Sequence, residues 1–186
     1  QNPNLEGLNV TIPYKEQVIP YLNEMSEVVK KTGACNCIKI REGKLYGFNT
    51  DVIGIEKSIT DFISPDCKKA LILGTGGAAK AVAFVLEKLG ITSQFVSRKA
   101  LKNVYGYAEL TDSVIASNFV IINTTPLGMH PAVNEAPSIN YNAISNNHFL
   151  FDLIYNPEKT MFLEKGEKRG AAIKNGYEML LLQAEE

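Results

Sequence analysis

Short apolar runs alternate with glycine turns and amphipathic stretches along most of the chain, a rhythm that predicts an α/β fold. Leu8, Val10 and Ile12 alternate with Asn9 and Thr11, so residues 8–12 are a predicted strand, closed by Pro13. Asn9 and Thr11 share one polar face of it at period two. Lys15 follows just past the strand end and, taken alone, reads as an exposed surface lysine. Residues 16–31 carry helical turns interrupted at Pro20, with Gly33 as a stop. Residues 34–40 alternate again and place the polar Asn36 inside a predicted strand. Arg41-Glu42-Gly43-Lys44 predicts a hairpin turn and 45–48 its return strand. Asn49-Thr50-Asp51 leads into a predicted helix over 52–62. Asp51 there has two readings, a helix-capping or first-turn acid and an acid held at a site. Ser64-Pro65-Asp66 is a turn and a domain boundary.

The most informative stretch is 69–90. An apolar run over 70–73 leads into Gly74-Thr75-Gly76-Gly77-Ala78-Ala79 and then a helical pattern that stops at Gly90. The spacing is the Ala-ending form of the dinucleotide fingerprint. Gly74 allows the tight turn, Gly76 lets a pyrophosphate approach the backbone, and Ala79 keeps the helix close to the sheet. The helix N-terminus offers free N–H groups and its positive dipole end to the phosphates. A second strand is predicted over 93–96. Its end is where an acid would accept from the ribose 2′-hydroxyl of NAD. Ser97-Arg98-Lys99 stands there instead, with two cations and no carboxylate, which points to NADP. Residues 103–118 are polar and short, so the usual second crossover is trimmed to one abbreviated helix. Further buried parallel strands are predicted over 119–122 and 149–153, and a last short one over 171–173. The loop 123–129 falls beyond a strand's carboxyl end, where ligands bind in doubly wound sheets. Thr160 caps a predicted helix to about residue 169, and an amphipathic helix begins near Tyr177.

The chain has 186 residues, is 45% hydrophobic and carries a net charge of −1. That supports a real core and gives no basic block for nucleic acid or an anionic membrane. No apolar run reaches membrane-spanning length. Cys35, Cys37 and Cys67 make no disulfide framework, which favours a reducing cytoplasm. Cys35-x-Cys37 lacks zinc spacing, so no metal site is expected. His130 and His148 fall in no recognisable triad.

Taken together the motifs resemble the shikimate dehydrogenase family over nearly the whole chain. GLNVTIPYK (7–15), Gly33-Ala34-Cys35-Asn36, Asn49-Thr50-Asp51 and the glycine turn match family segments in order. So do Asn123 to Met129, the Asp152-Leu153-Ile154-Tyr155-Asn156-Pro157 run with Thr160 and Leu163, and the closing Asn175-Gly176, Met179-Leu180 and Gln183-Ala184. The resemblance implies interconversion of 3-dehydroshikimate and shikimate with NADPH, on the way to chorismate and aromatic amino acids. It implies Lys15 and Asp51 as the catalytic pair. It implies Asn9, Thr11, Asn36, Tyr155 and Gln183 at the substrate, and Gly74, Gly76, Gly77, Ala78, Ser97, Arg98, Thr124 and Gly176 at the cofactor. The implied architecture is a partial substrate-binding domain over 1–65, a Rossmann-like doubly wound parallel sheet over 66–170, and a C-terminal segment, 171–186, returning to the first domain. Monomer and homodimer remain open.

Some features depart from the family. Its N-terminal segment, with a first strand and a Ser-x-Ser motif for the substrate carboxylate, has no counterpart here. This chain alone is therefore expected to be weakly active or inactive, with an exposed sheet edge. Ser97-Arg98-Lys99 replaces the usual Asn-Arg-Ser/Thr. Two other readings stand beside the main one: a dehydrogenase of quinate or another polyol acid, and a non-catalytic dinucleotide sensor, which would need neither Lys15 nor Asp51.

Overall fold

The computed structural model describes residues 5–11 and 13–185. Its smaller sheet contains β1 (Gly7–Asn9), β2 (Glu24–Met25), β3 (Cys37–Arg41) and β4 (Lys44–Phe48), in the order β1-β3-β4-β2. The predicted first strand ends early, at Asn9, and its Ile12 lies outside the described residues. The β3–β4 hairpin turns through Glu42 at φ 50° and Gly43 at φ 73°. Two left-handed residues in a row match the twist of the strands they join.

The predicted helical stretch 16–31 breaks up. Pro20 sits in a 3₁₀ turn, Ile19–Tyr21, followed by β2 and then α1 (Glu27–Thr32). Ser26 caps α1 by accepting from Val29 N, and Gly33 ends it at φ 62°. No periodicity announces β2, because its two residues pair with β4 through backbone bonds.

The larger sheet contains β5 (Lys69–Leu73), β6 (Thr92–Ser97), β7 (Val104–Gly106), β8 (Val120–Asn123), β9 (Phe149–Asp152) and β10 (Ala172–Lys174). All pairs are parallel, and the order is β10-β9-β8-β5-β6-β7. This is the doubly wound order, with the winding reversing between β5 and β8. β7 lies in a stretch expected to hold only a short helix. Parallel neighbours usually need a helical crossover, but residues 98–103 return the chain without one. A Leu101–Val104 bridge and Asn103 at φ 62° make that turn. The short helix follows β7 as α4 (Asp112–Ala116), capped by Thr111.

Both faces of the large sheet are covered, so its central strands are continuous apolar runs rather than alternating ones. Ile72, Ile122 and Phe151 pack under α2 (Asp51–Ile59), α3 (Gly77–Lys88) and α6 (Tyr177–Glu185), through Val52, Ile55, Val82, Val85 and Met179. Leu71, Ile121 and Leu150 face the other way, onto α4 and α5 (Met161–Glu167) through Ile115, Phe162 and Leu163. A small third cluster around Val29, Cys35 and Ile38 supports the four-stranded sheet. On that sheet Leu8 and Phe48 stay exposed.

α6 lies directly on α2. A Cβ at Gly54 would stand 2.6 Å from the Met179 carbonyl oxygen and 3.4 Å from Gln183 Cβ. Alanine favours a helix over glycine by about 1 kcal/mol, but overpacking costs about 1–3 kcal/mol, and the clash is with backbone. Gly54→Ala is therefore expected to destabilise the protein in urea denaturation. A stabilised variant would mean that α6 is not seated this closely.

Candidate active site

Lys15, Asn36, Asp51 and Gln183 come from four separate parts of the chain and meet at one point. Lys15 Nζ donates to Asp51 Oδ2 at 2.7 Å, with side-chain exposures of 18% and 3%. Asn36 Nδ2 donates to Asp51 Oδ1 at 3.0 Å, to Thr50 Oγ1 at 3.0 Å and to Gln183 Oε1 at 3.3 Å. Asn36 Oδ1 accepts from Thr50 N at 2.8 Å. Both carboxylate oxygens of Asp51 thus have donors. The pair leaves the Lys15 ammonium partly open to solvent, with protons to spare beyond the one given to Asp51.

Asp51 is the first residue of α2, and its side chain does not cap the helix. Of its two sequence readings, first-turn acid and site acid, the geometry joins both. The capping acceptor is Asn49 Oδ1, which receives Asp51 N at 3.1 Å. Asn49, with no separate role expected of it, is a buried link in this network. Its signal was present in the sequence: an Asn two residues before the first helical position is a common Asx turn.

Of the remaining expected substrate residues, Asn9 and Thr11 are linked to this centre through the backbone. Val10 N donates to Asn36 O at 2.8 Å, so exposed Asn9 and Thr11 flank a residue tied to Asn36. Tyr155 is exposed on the loop after β9.

The glycine turn leads straight from β5 into α3. Gly74 has φ 116°, a conformation that L side chains resist. Its missing Cβ also makes room for Thr124, whose Oγ1 donates to Leu73 O at 2.7 Å. The carboxyl ends of β5 and β8 are thereby stitched together at the winding reversal. Nothing lies within 4 Å of a Cβ built on Gly76, which leaves the open backbone a pyrophosphate needs. Ala78 is half-buried in the first turn of α3 and Ala79 fully buried against the sheet. Beside the turn, Thr75, Ser97, Arg98 and Lys99 line one open hollow. A phosphate-rich dinucleotide fits this set: bare glycine backbone, a helix N-terminus, and two exposed cations one strand away.

Gly77 is different. Its Cβ position lies 3.2 Å from Ala34 Cβ and 3.6 Å from Lys15 Cβ. It brings the Lys15 segment against the glycine turn. A Glu16–Lys80 ion pair at 2.9 Å reinforces that seam, though its exposure makes it worth only about 0–1 kcal/mol. Gly176 is also a close approach, since a Cβ there would meet Leu153 O at 2.1 Å. It seats the start of α6 on the β9 loop.

A second buried acid holds the rim. Asp152 accepts from Thr160 Oγ1 at 2.6 Å, Ile154 N at 3.1 Å and Asn123 Nδ2 at 3.1 Å. It ties the loops after β8 and β9 to the cap of α5. Burial pushes its carboxyl up to about 6, with those three donors pulling the other way. Its ordinary value is 3.8, so between the two values the folded protein keeps a proton that the unfolded chain has lost. The contribution to stability is complete below pH 4 and lost as pH rises through about 6, about 3 kcal/mol at most. Asp152→Asn mimics the protonated form, since its amide can donate to Thr160 Oγ1. Relative to the parent, Asp152→Asn should gain stability from pH 4 to about 6 and then level off toward pH 7.5 in denaturant titrations. Parallel curves would contradict a raised carboxyl.

Cys35 and Cys67 are buried free thiols raised by desolvation. Among the described residues no three metal-ligating side chains cluster, and no helix is long and apolar enough to cross a membrane.

Comparison with known proteins gives a consistent result. A model of the shikimate dehydrogenase substrate binding domain matches residues 1–38. The shikimate dehydrogenase (NADP(+)) of Methanosphaera stadtmanae is 40% identical over 197 residues, covering 97% of this chain and 70% of its own. Among solved structures, shikimate dehydrogenase from Aquifex aeolicus superposes with a TM-score of 0.84 at 35% identity, over 96% of this chain and 69% of its own. Shikimate 5-dehydrogenase from Thermus thermophilus, in complex with NADP(H) and shikimate, gives a TM-score of 0.85 at 26% identity, over 97% of this chain and 70% of its own. The chain spans about 70% of the length of the curated relatives it matches.

Proposed function

The chain belongs to the shikimate dehydrogenase family, and we propose that it catalyses the reversible NADPH-dependent reduction of 3-dehydroshikimate to shikimate. The observation that carries this reading is the Lys15–Asp51 pair, 2.7 Å apart, on a segment pressed against the glycine turn through Gly77. A cofactor sensor would need neither residue. Residues 1–65 and the helix ending the 171–186 segment act as the substrate-binding part, and 66–170 as the cofactor-binding part. The three free thiols suit a cytoplasmic enzyme.

When bound, NADPH supplies the hydride to the ketone carbon. The protein's own residues manage the charge and the proton. As the ketone is reduced, negative charge gathers on its oxygen. The Lys15 ammonium stabilises that charge and holds a proton for it. Asp51, fixed by Asn36, orients the ammonium and accepts a hydrogen bond from the reacting hydroxyl in the oxidation direction. Asn9, Thr11, Asn36, Tyr155 and Gln183 are the polar groups that bind the substrate's hydroxyls. Amide and hydroxyl partners of that kind, once desolvated under a bound substrate, reject analogues lacking the matching group. Gly74, Gly76, Gly77, Ala78, Thr124 and Gly176 form the cofactor cradle. Ser97 and Arg98 receive the 2′-phosphate, which selects NADP over NAD.

The test is the initial rate of shikimate oxidation, with NADP and with NAD. It is run on this chain and on a form extended at its amino end with a relative's segment. Turnover with NADP preferred, and shikimate preferred to quinate, is expected, with the extended form faster. Cofactor binding without turnover in either form would favour the sensor reading. Equal rates with quinate would favour the polyol-acid reading. Arg98→Ala is expected to weaken NADP by about tenfold or more, the loss of a charge-assisted contact, and to leave NAD nearly unchanged. Equal weakening of both would remove Arg98 from the phosphate site. Lys15→Met should cut kcat by about 10²-fold or more while cofactor affinity stays put. A proportionate loss of both would make Lys15 structural.

A further inference from the structure

The distance between Lys15 and Asp51 is not set by those two side chains alone. Lys15 lies in an irregular segment after β1, and Asp51 begins a helix in a different layer. One hydrogen-bonded path connects their backbones. Cys35 N donates to Lys15 O at 2.8 Å. The neighbouring carbonyl, Ala34 O, accepts from Asn49 Nδ2 at 2.9 Å. The other end of the same amide, Asn49 Oδ1, accepts from Asp51 N at 3.1 Å. Asn49 is buried, at 5% exposure. Its donor holds the Ala34–Cys35 peptide to which the Lys15 segment is bonded, and its acceptor holds the start of α2.

Substitutes of similar size lose part of this bridge. Aspartate keeps the acceptor for Asp51 N but turns a carboxylate toward the Ala34 carbonyl. Leucine keeps the volume and loses both bonds. Serine is too short to span the gap. Asn36 makes a parallel link higher in the site, through Thr50 N and the Asp51 carboxylate, but its amide is already spread over three acceptors. Asn49 is committed to the scaffold alone.

We infer that Asn49 is a positioning residue for the reaction, the strut that fixes Lys15 and Asp51 at hydrogen-bonding distance before substrate arrives. The inference deepens the proposed reaction at that pair and rests on it. Its physical content is that Lys15 is held by Asp51 because Asn49 holds Ala34 and the start of α2 together. Loosening the strut by an ångström or so is expected to cost about 10–100-fold in turnover.

The test compares Asn49→Leu and Asn49→Asp with the parent by two readouts. The first needs no activity. Trace acetylation with acetic anhydride, followed by mass spectrometry, reports the reactivity of individual lysines. Lys88, ion-paired to Glu56 on the same helix that Asp51 begins, is the internal reference. In Asn49→Leu, Lys15 should label about fivefold faster or more, one lost buried hydrogen bond's worth, while Lys88 changes less than about twofold. Asn49→Asp, which keeps the helix cap, should fall between. The second readout is kcat against NADP affinity, with kcat falling and affinity unchanged in both variants.

Lys15 labelling as in the parent would overturn the inference. So would Lys15 and Lys88 rising together, or kcat falling only in step with cofactor affinity, since each describes a general loosening. Absence of turnover in the parent, with Lys15 selectively exposed in Asn49→Leu, would defeat the reaction reading and leave the strut standing.

Discussion

A carboxylate taken out of water needs partners, and Asp51 is almost wholly enclosed. The penalty for a buried ion is several kcal/mol, offset only by well-made pairing and hydrogen bonds. Asp51 has the Lys15 ammonium on one oxygen and the Asn36 amide on the other. That requirement reaches through the fold. It demands that the segment after β1, the loop before β3 and the start of α2 converge, and the four-stranded sheet and its hairpin hold them there. It also draws in α6, whose Gln183 reaches Asn36 only because Gly54 lets the two helices touch.

The second organising constraint is the close approach of backbones, and glycine supplies it in two distinct ways. Gly74 is needed for its positive φ. Gly77 and Gly176 are needed because another chain segment occupies the place of their side chains. The result is that the lysine-bearing segment rests on the same turn that presents open backbone at Gly76. A cofactor on that turn and a substrate at Lys15 are therefore neighbours by construction. The rim is closed separately by Asp152, whose raised carboxyl ties two strand-end loops to a helix cap.

Much of this was legible in the residues. The glycine turn, the apolar runs of β5, β8 and β9, the Arg41–Lys44 turn and the Thr160 cap all carry local signals, and each formed within a residue or two of its expected place. What was not legible lacked a local signal. β2 and β7 are short and depend on neighbours for their pairing. The stretch 16–31 has helical composition, but Pro20 and a waiting strand edge at β4 divert it. The β6–β7 return is set by two residues, Leu101 and Asn103, that no pattern singles out. The site was visible as motifs, but the motifs could not say which of its residues also hold the frame. Asn36, expected at the substrate, already spends its amide on Asp51, Thr50 and Gln183. Gly77, expected at the cofactor, is packed against Lys15 and Ala34. Asn49 was seen only as part of a three-residue motif; its bond to Asp51 N is local, but its bond to Ala34 O runs across the fold, where sequence spacing cannot follow.

The central claim is that Lys15 and Asp51 work as one unit. The most direct measurement is a double-mutant cycle on kcat for shikimate oxidation, with Lys15→Met, Asp51→Asn and the double variant, in the amino-extended form. A unit gives strongly non-additive losses, so the double variant should be no more than about threefold slower than the worse single one. Losses that multiply would show two residues acting independently, and would contradict the account of a single pre-set pair.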